Sequence, residues 1–184
     1  MIFIKYLTIM LLVCGGLFTH AFAAESLSTA QLFSRGKDKL LILNAKTKQI
    51  HHAIFFPSNA QVGDYAWVNN ERIVLQKEYL KGWSDVPLYY GELMAVNADG
   101  SRATYLFGFN SGEQQTGSHL KKNTPIRATA FILDPLPDDD RYMLVNAIPW
   151  NESNSLNYEL SQTVYRVDLY KGFRRKVTTS PIGY

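Results

Sequence analysis

The sequence predicts an all-β protein made of antiparallel sheets. Almost every segment between turn residues is short and rich in β-branched and aromatic side chains, which is the composition of strands. A helical period is almost absent, so no α-helical layer is expected. One segment also alternates clearly, because Tyr165 and Val167 point one way while Arg166 points the other.

Ten strands are expected in total. In chain order they are Leu40–Asn44, Gln49–Phe55, Asp64–Val68, Arg72–Gln76, Gly91–Asn97, Ala103–Phe107, Ala128–Leu133, Tyr142–Ala147, Val164–Tyr170 and Arg174–Thr178. Before them, a short helix is expected from Ser26 to Arg35, with Ser26 or Ser28 as its N-cap and Gly36 at its end.

The N-terminus has the order of segments typical of a secretory signal peptide. Lys5 supplies the positive charge, Tyr6 to Phe18 is apolar, and Ala21-Phe22-Ala23 offers small residues for cleavage after Ala23. The apolar run is shorter than the roughly 20 residues that span a bilayer. Cys14 raises the alternative of a lipoprotein signal, but the branched Val13 before it argues against lipidation. We therefore expect residues 1–23 to be removed and the protein to be periplasmic or extracellular.

Composition narrows the class of protein further. Hydrophobic residues make up 46% and charged residues 19% of the chain, which favours a packed core over disorder. The only cysteine lies in the predicted signal, so no disulfide is expected in the mature chain. The formal charge of +3 is spread out, with one basic run at Arg174-Arg175-Lys176, and nucleic acid is excluded as an expected partner.

Internal repeats make the predicted architecture more specific. Three segments read as hairpins, with turns near Lys46-Thr47, Asp99-Gly100 and Lys171-Gly172. The second and third are preceded by a strand, a polar turn, an Arg and another strand, in Tyr65–Gln76 and Ala130–Val145. Two successive hairpins make a four-stranded antiparallel unit, and repeated units of this kind predict the blades of a β-propeller. The chain holds about two and a half such blades, so the expected fold is a partial β-propeller.

Some of these blade segments also carry a family resemblance. They are Trp67-Val-Asn-Asn-Glu-Arg-Ile-Val74, Gly91-Glu-Leu-Met-Ala-Val-Asn-Ala-Asp-Gly-Ser-Arg102, and Asp138-Asp-Asp-Arg-Tyr-Met-Leu-Val145 with Val164-Tyr-Arg-Val-Asp168. This set resembles the N-terminal β-propeller of secreted prolyl-oligopeptidase-family serine peptidases, a group that includes dipeptidyl and acylaminoacyl peptidases. The resemblance covers most of residues 37–184, which follow the signal (1–23) and an N-terminal lead-in (24–36).

The resemblance implies a role in substrate access rather than in chemistry. In that family the propeller caps an α/β-hydrolase domain that carries the catalytic Ser, Asp and His, and it restricts which substrates reach them. No such hydrolase domain is expected within these 184 residues. The expected function is therefore that of a non-catalytic propeller fragment, with a peptide substrate, or a hydrolase domain or other chain that completes the propeller, as its partner.

A search for catalytic residues supports the same interpretation. The nucleophile elbow needs Gly-x-Ser-x-Gly, and the nearest sequence, Gly82-Trp83-Ser84-Asp85-Val86, ends in Val. His20 lies in the signal, and His119 lies in a polar loop. His51 and His52 are adjacent on a predicted strand and so face opposite sides. We expect no catalytic residues and read Ser84 as a loop residue.

Metal and cofactor sites are likewise not expected. Asp138, Asp139 and Asp140 could suggest a calcium loop, but adjacent carboxylates lack the alternating spacing that would bring them to one ion. A solvated turn after Pro135 and Pro137 is the favoured interpretation.

Aromatic residues offer the one candidate binding surface. Trp83, Tyr89, Tyr90 and Trp150 could line a peptide-binding or sugar-binding site, because such side chains combine apolar area with a polar edge. Blade packing is the competing interpretation. The loop from Lys77 to Tyr90, which is long for a blade connection, is the segment that a ligand or partner would order.

Two functional classes follow. The first is the non-catalytic propeller fragment described above. The second is a freestanding extracytoplasmic β-protein that binds a peptide, a glycan or an envelope partner. In both, an array of fewer than about four blades cannot close, so it is expected to self-associate or to need a completing chain.

Overall fold

The computed structural model describes residues 27–34, 37–57, 59–82, 84, 86–108 and 125–180, which form eleven strands in three antiparallel sheets. No helix occurs in these described ranges. The all-β, antiparallel class predicted from the sequence is therefore confirmed. Residues 1–23, with the predicted signal, and His119 lie outside the described residues.

The strands are divided among three sheets. Sheet A holds β1 (Leu27–Ser34), β2 (Lys37–Asn44) and β3 (Ile50–Ile54); sheet B holds β4 (Ala60–Trp67), β5 (Arg72–Tyr79), β6 (Leu88–Asn97) and β7 (Thr104–Phe107); sheet C holds β8 (Ala128–Asp134), β9 (Tyr142–Pro149), β10 (Thr163–Asp168) and β11 (Arg174–Thr179).

Strand β1 corrects the prediction for the N-terminal segment. The helix predicted from Ser26 to Arg35 is wrong, because Leu27–Ser34 pairs with β2 along its whole length. An isolated helix this short is marginal in water. The edge of β2, in contrast, offers hydrogen-bonding partners to the backbone of the same residues. Pairing with β2 therefore overrides the local helix signal.

Tight hairpins join the last two strands of each sheet, at the three predicted turns. Lys48, Gly100 and Gly172 adopt φ values of 59°, 81° and 67° there. In sheet A the Oδ1 atom of Asn44 accepts hydrogen bonds from two turn amides at 3.0 and 2.9 Å, and in sheet C that of Asp168 accepts two at 2.9 Å. An Asx side chain at the end of the first strand thus fixes these turns.

These Asx residues define which strands correspond. Asn44 ends β2, Asn97 ends β6 and Asp168 ends β10, each directly before its hairpin. Strands β2, β6 and β10 are therefore equivalent, and so are β1, β5 and β9 before them. Sheets B and C each begin with one further strand, β4 and β8, which has no counterpart among the described strands of sheet A.

Sheet B lies between the other two sheets, and both interfaces are built from equivalent strands. Strand β4 contacts β2 at one interface, and β8 contacts β6 at the other. Side chains of β6 alternate between the two cores: Leu93 and Ala95 pack toward sheet C, while Val96 packs toward sheet A. The register of each strand is thereby fixed, since a slip of one residue would exchange the two faces.

Strand β6 passes very close to the edge of β8. Gly91 has φ of 85°, and a Cβ atom there would lie 2.5 Å from the backbone nitrogen of Ala130 and against the Cα atom of Thr129. Beside it, the Tyr89 hydroxyl donates a hydrogen bond of 2.5 Å to the carbonyl of Ala130. Because β8 is an edge strand, this crossing covers part of its free backbone.

A fully buried arginine ties sheet B to sheet C at the hairpin end of the sheets. Arg72 donates from Nε to the carbonyl of Leu169 at 2.9 Å, from Nη1 to Oδ1 of Asn97 at 2.6 Å, and from Nη2 to the carbonyl of Arg102 at 2.9 Å. Its guanidinium also lies 4.7 Å from the ring centroid of Tyr170. One side chain thus joins β5 and the β6–β7 hairpin of sheet B to the β10–β11 hairpin of sheet C.

A second arginine bonds the equivalent Asx side chain within sheet C. Arg141 donates a hydrogen bond of 2.9 Å from Nε to Oδ2 of Asp168, and its Nη2 atom also lies 2.9 Å from that oxygen. The Asp168 carboxylate is almost fully buried. Burial acts to raise the pKa of Asp168, but the amides of Lys171 and Tyr170 and the Arg141 guanidinium together lower it below the ordinary value of 3.8. The charged carboxylate therefore contributes to stability.

Changing Asp168 to Asn is expected to reduce the acid sensitivity of the fold. A lowered pKa means that the stabilisation is present above pH 3.8 and is lost as the pH falls through the folded-state pKa. At pH 7 we expect Asp168→Asn to lower the free energy of unfolding by about 2 kcal/mol. This difference in unfolding free energy between the variant and the parent chain should narrow in acid. Urea unfolding at several pH values measures this. Asp138→Asn, in an exposed turn, is the control. If the difference in unfolding free energy between Asp168→Asn and the parent chain stays constant below pH 3.8, the charged Asp168 is not the stabilising group.

Candidate functional site

A buried ion pair lies on the face of sheet B that looks toward sheet A. Lys77 of β5 and Glu92 of β6 approach to 3.4 Å between Nζ and Oε2, and their side chains are only 16% and 4% exposed. Charged groups are rarely buried without a partner, and a buried pair is seldom the cheapest way to stabilise a sheet. The pair is therefore a candidate functional site.

Aromatic rings enclose the ammonium group of this pair. The Nζ atom of Lys77 lies 4.9 Å from the ring centroid of Tyr79 and 5.7 Å from those of Phe56 and Tyr105. It also donates a hydrogen bond of 3.3 Å to the Tyr105 hydroxyl, and the Tyr79 hydroxyl donates one of 2.5 Å to Glu92. Both charges are thus held by hydroxyl groups as well as by each other.

The surroundings change the acidity of two members. Burial acts to lower the pKa of Lys77, but the hydroxyls of Tyr79 and Tyr105 and the carboxylate of Glu92 outweigh it and raise that pKa. Burial, together with the hydrogen bond to Glu92, also raises the pKa of Tyr79. Lys77 is therefore a firmly protonated cation, a poor general base and a good anchor for negative charge.

A more exposed layer continues the cluster toward the β5–β6 loop. Tyr90 is 37% exposed, and its ring centroid lies 5.7 Å from that of Tyr79. The Nζ atom of Lys81 lies 5.9 Å from the Tyr79 ring and 6.0 Å from the Tyr90 ring. In the same loop Val86 is 68% exposed. The seven residues Phe56, Lys77, Tyr79, Lys81, Tyr90, Glu92 and Tyr105 form what we term the cationic aromatic cluster.

A strand irregularity lies in this cluster. The pairing of β5 with β6 shifts register between Gln76 and Glu78, where Lys77 alone lies opposite Tyr90, Gly91 and Glu92, so the extra residues of this β-bulge belong to β6. The pairing of β4 with β5 shifts between Val62 and Tyr65. Bulges re-aim side chains and are common beside functional sites. The predicted strand ended at Gln76, and the sequence carried no motif that would have linked Lys77 to Glu92.

The structure separates the aromatic residues that the sequence singled out. Tyr90 joins the cationic aromatic cluster, while Tyr89, next to it on β6, faces β8 and packs 5.7 Å from Phe131 between ring centroids. Trp150 is half-buried and donates from Nε1 to Oγ1 of Thr129 at 2.8 Å. Trp83 lies outside the described residues. Tyr89 and Trp150 thus both contact β8, away from Tyr90.

The remaining sequence candidates make local contacts. The Ser84 hydroxyl donates to the carbonyl of Val86 at 2.7 Å and accepts from its amide at 3.2 Å, which closes a turn in the β5–β6 loop. His52 is half-buried against Gly100 at the hairpin end, and His51 is exposed. Asp139 accepts hydrogen bonds from the amides of Arg141 and Tyr142 and from Arg166.

The described ranges hold neither a metal-binding cluster nor a membrane-spanning helix. Within them, no group of three or more His, Cys, Asp or Glu side chains is placed to hold a metal ion. No helix in the same ranges is long and apolar enough to cross a membrane. The cationic aromatic cluster is the candidate functional site of the described residues.

Comparison with known proteins adds no relative. No family model, curated protein or solved structure matches the chain.

Proposed function

We propose that this chain is a non-catalytic, exported binding module with a partial β-propeller architecture. It resembles the propeller of prolyl-oligopeptidase-family peptidases in its blade segments, and it binds an acidic peptide segment at the cationic aromatic cluster. The observation that carries the architecture is the repeated sheet interface, in which the first strand of one sheet contacts the equivalent strand, β2 or β6, of the sheet before it. Successive units stacked in this way are typical of propeller blades.

The chemistry of the cluster supports an anionic, partly apolar ligand. Lys77 is paired with Glu92, and Lys81 lies over two aromatic rings at the more exposed layer. A carboxylate can approach this ammonium group while an apolar side chain packs on Tyr90 and Val86. An acidic residue next to an aromatic or aliphatic one has both properties.

The test uses protein purified from an exporting bacterial host and fluorescein-labelled octapeptides with Asp-Phe or Glu-Leu at the centre. We expect binding by fluorescence anisotropy, and Tyr90→Ala should weaken it about three- to tenfold through loss of ring contact. Tyr158→Ala removes another exposed tyrosine far along the chain and is the matched control. Mass spectrometry should recover the peptides uncleaved, and a serine-reactive fluorophosphonate should leave the protein unlabelled.

Several outcomes would overturn the proposal. If peptides with Lys in place of the acidic residue bind equally well, the cluster does not recognise the negative charge of the peptide. Equal losses in Tyr90→Ala and Tyr158→Ala would place binding elsewhere. Stoichiometric labelling that is abolished by replacing one serine would make the chain an enzyme, and binding of glycans alone would favour the freestanding sugar-binding class.

A further inference from the structure

We infer that the edge of β1 with which no described strand pairs is a docking site for an extended segment of another polypeptide, which pairs with it as an added strand. The inference rests on the strand equivalence used in the proposed function. It starts from a difference in strand number: sheets B and C have four described strands each, and sheet A has three.

Register identifies which strand sheet A lacks. Leu27 of β1 lies opposite Asn44, just as Arg72 of β5 lies opposite Asn97 and Tyr142 of β9 lies opposite Asp168. Strand β1 is therefore the counterpart of β5 and β9. In sheets B and C those strands pair on their other side with β4 and β8. The missing strand belongs on the corresponding side of β1, where no described strand pairs with it.

This edge is held in place before any partner arrives. Strand β1 pairs with β2 from Leu27 to Ser34. Thr29 of β1 also donates a hydrogen bond of 3.0 Å from Oγ1 to the Tyr65 hydroxyl of sheet B. An edge that is already extended and positioned loses little conformational entropy when a strand is added.

The equivalent strands indicate the chemistry of the occupant. Strands β4 and β8 both begin with alanine, Ala60 and Ala128, and each has its first three residues buried. Neither contains proline. We therefore expect an extended segment without proline that starts with small or aliphatic residues and runs antiparallel to β1. A second copy of this chain is a poor source, because its own β4 and β8 are already paired within their sheets.

The test uses the exported protein and a synthetic peptide with the β4 sequence, Ala-Gln-Val-Gly-Asp-Tyr-Ala-Trp. Hydrogen exchange should show new protection at residues 27–34 when the peptide is added. Two further peptides carry N-methyl groups on alternate amides, one set on odd and one on even positions. In a peptide that pairs with β1 on one side only, alternate amides face β1 and the others point away from it. One methylated peptide should therefore lose binding about tenfold or more, and the other should bind nearly as the parent does.

The outcomes separate this inference from the proposed function. Peptide-induced protection confined to residues 80–90, or equal behaviour of the two methylated peptides, would overturn strand addition at β1. Self-association of the protein that protects residues 27–34 without peptide would also overturn it, since a second copy would then occupy the edge. Binding at β1 that survives Tyr90→Ala supports the inference whether or not the cluster binds acidic peptides.

Discussion

Replacing Arg72 with alanine is expected to lower the free energy of unfolding by about 3–5 kcal/mol. The side chain is fully buried, and its removal leaves the carbonyls of Leu169 and Arg102 and the Oδ1 atom of Asn97 without their donor. Each unsatisfied buried acceptor costs about 1–3 kcal/mol. Urea unfolding followed by tryptophan fluorescence measures the loss.

Arg166→Ala is the matched control for that experiment. Arg166 bonds the carboxylate of Asp139 at 2.6 Å, and these two side chains are 45% and 30% exposed. An exposed pair of this kind contributes at most about 1 kcal/mol. Arg72→Lys keeps the charge but not the fork of donors, so it should fall between the two. If Arg72→Ala and Arg166→Ala cost the same, Arg72 does not link the sheets.

Gly91→Ala is expected to cost about 2–5 kcal/mol and to loosen sheet C from sheet B. The residue has a φ of 85°, where an L side chain is strained by about 1–2 kcal/mol. The added Cβ would also meet backbone atoms of Thr129 and Ala130, which cannot move aside as a flexible side chain can. Such overpacking adds about 1–3 kcal/mol. Hydrogen exchange at residues 128–134 should rise along with the loss of stability.

Gly82→Ala is the matched control for this substitution. Gly82 is exposed in the β5–β6 loop, and a Cβ atom there would meet nothing within 4 Å. Its effect should stay within about 0.5 kcal/mol. A Gly91→Ala protein as stable as the Gly82→Ala protein would show that β6 and β8 are farther apart in solution than the described crossing.

Much of the fold was predictable because its strands are closed by local turns. The hairpins at Asp99-Gly100 and Lys171-Gly172 follow from turn chemistry that acts within a few residues. Strand β1 was not predictable in this way, since its structure depends on pairing with the edge of β2. Arg72 was recognisable as part of a repeated segment, but its burial depends on sheet C, which lies far along the chain.

The candidate site was less predictable, for a related reason. Adjacent tyrosines in a strand face opposite ways, so Tyr89 and Tyr90 could not both belong to one surface. Which of them joins the cluster depends on how sheet B packs. The pairing of Lys77 with Glu92 lies at a bulge in β6, and extra residues in a ladder leave no motif in the sequence.

The Arg72 contacts also impose an order on folding. The hydrogen bond to the carbonyl of Leu169 joins residues 97 positions apart, and the bond to Asn97 joins residues 25 apart. As the chain emerges from the ribosome, sheet B can therefore form its hairpins while the guanidinium still lacks its acceptor on the last hairpin. A contact of such long range forms late, because loop closure precedes it. Synthesis of Leu169 thus becomes the event that completes the Arg72 contacts, and a nascent chain stalled before residue 169 has only the Asn97 and Arg102 acceptors for this side chain.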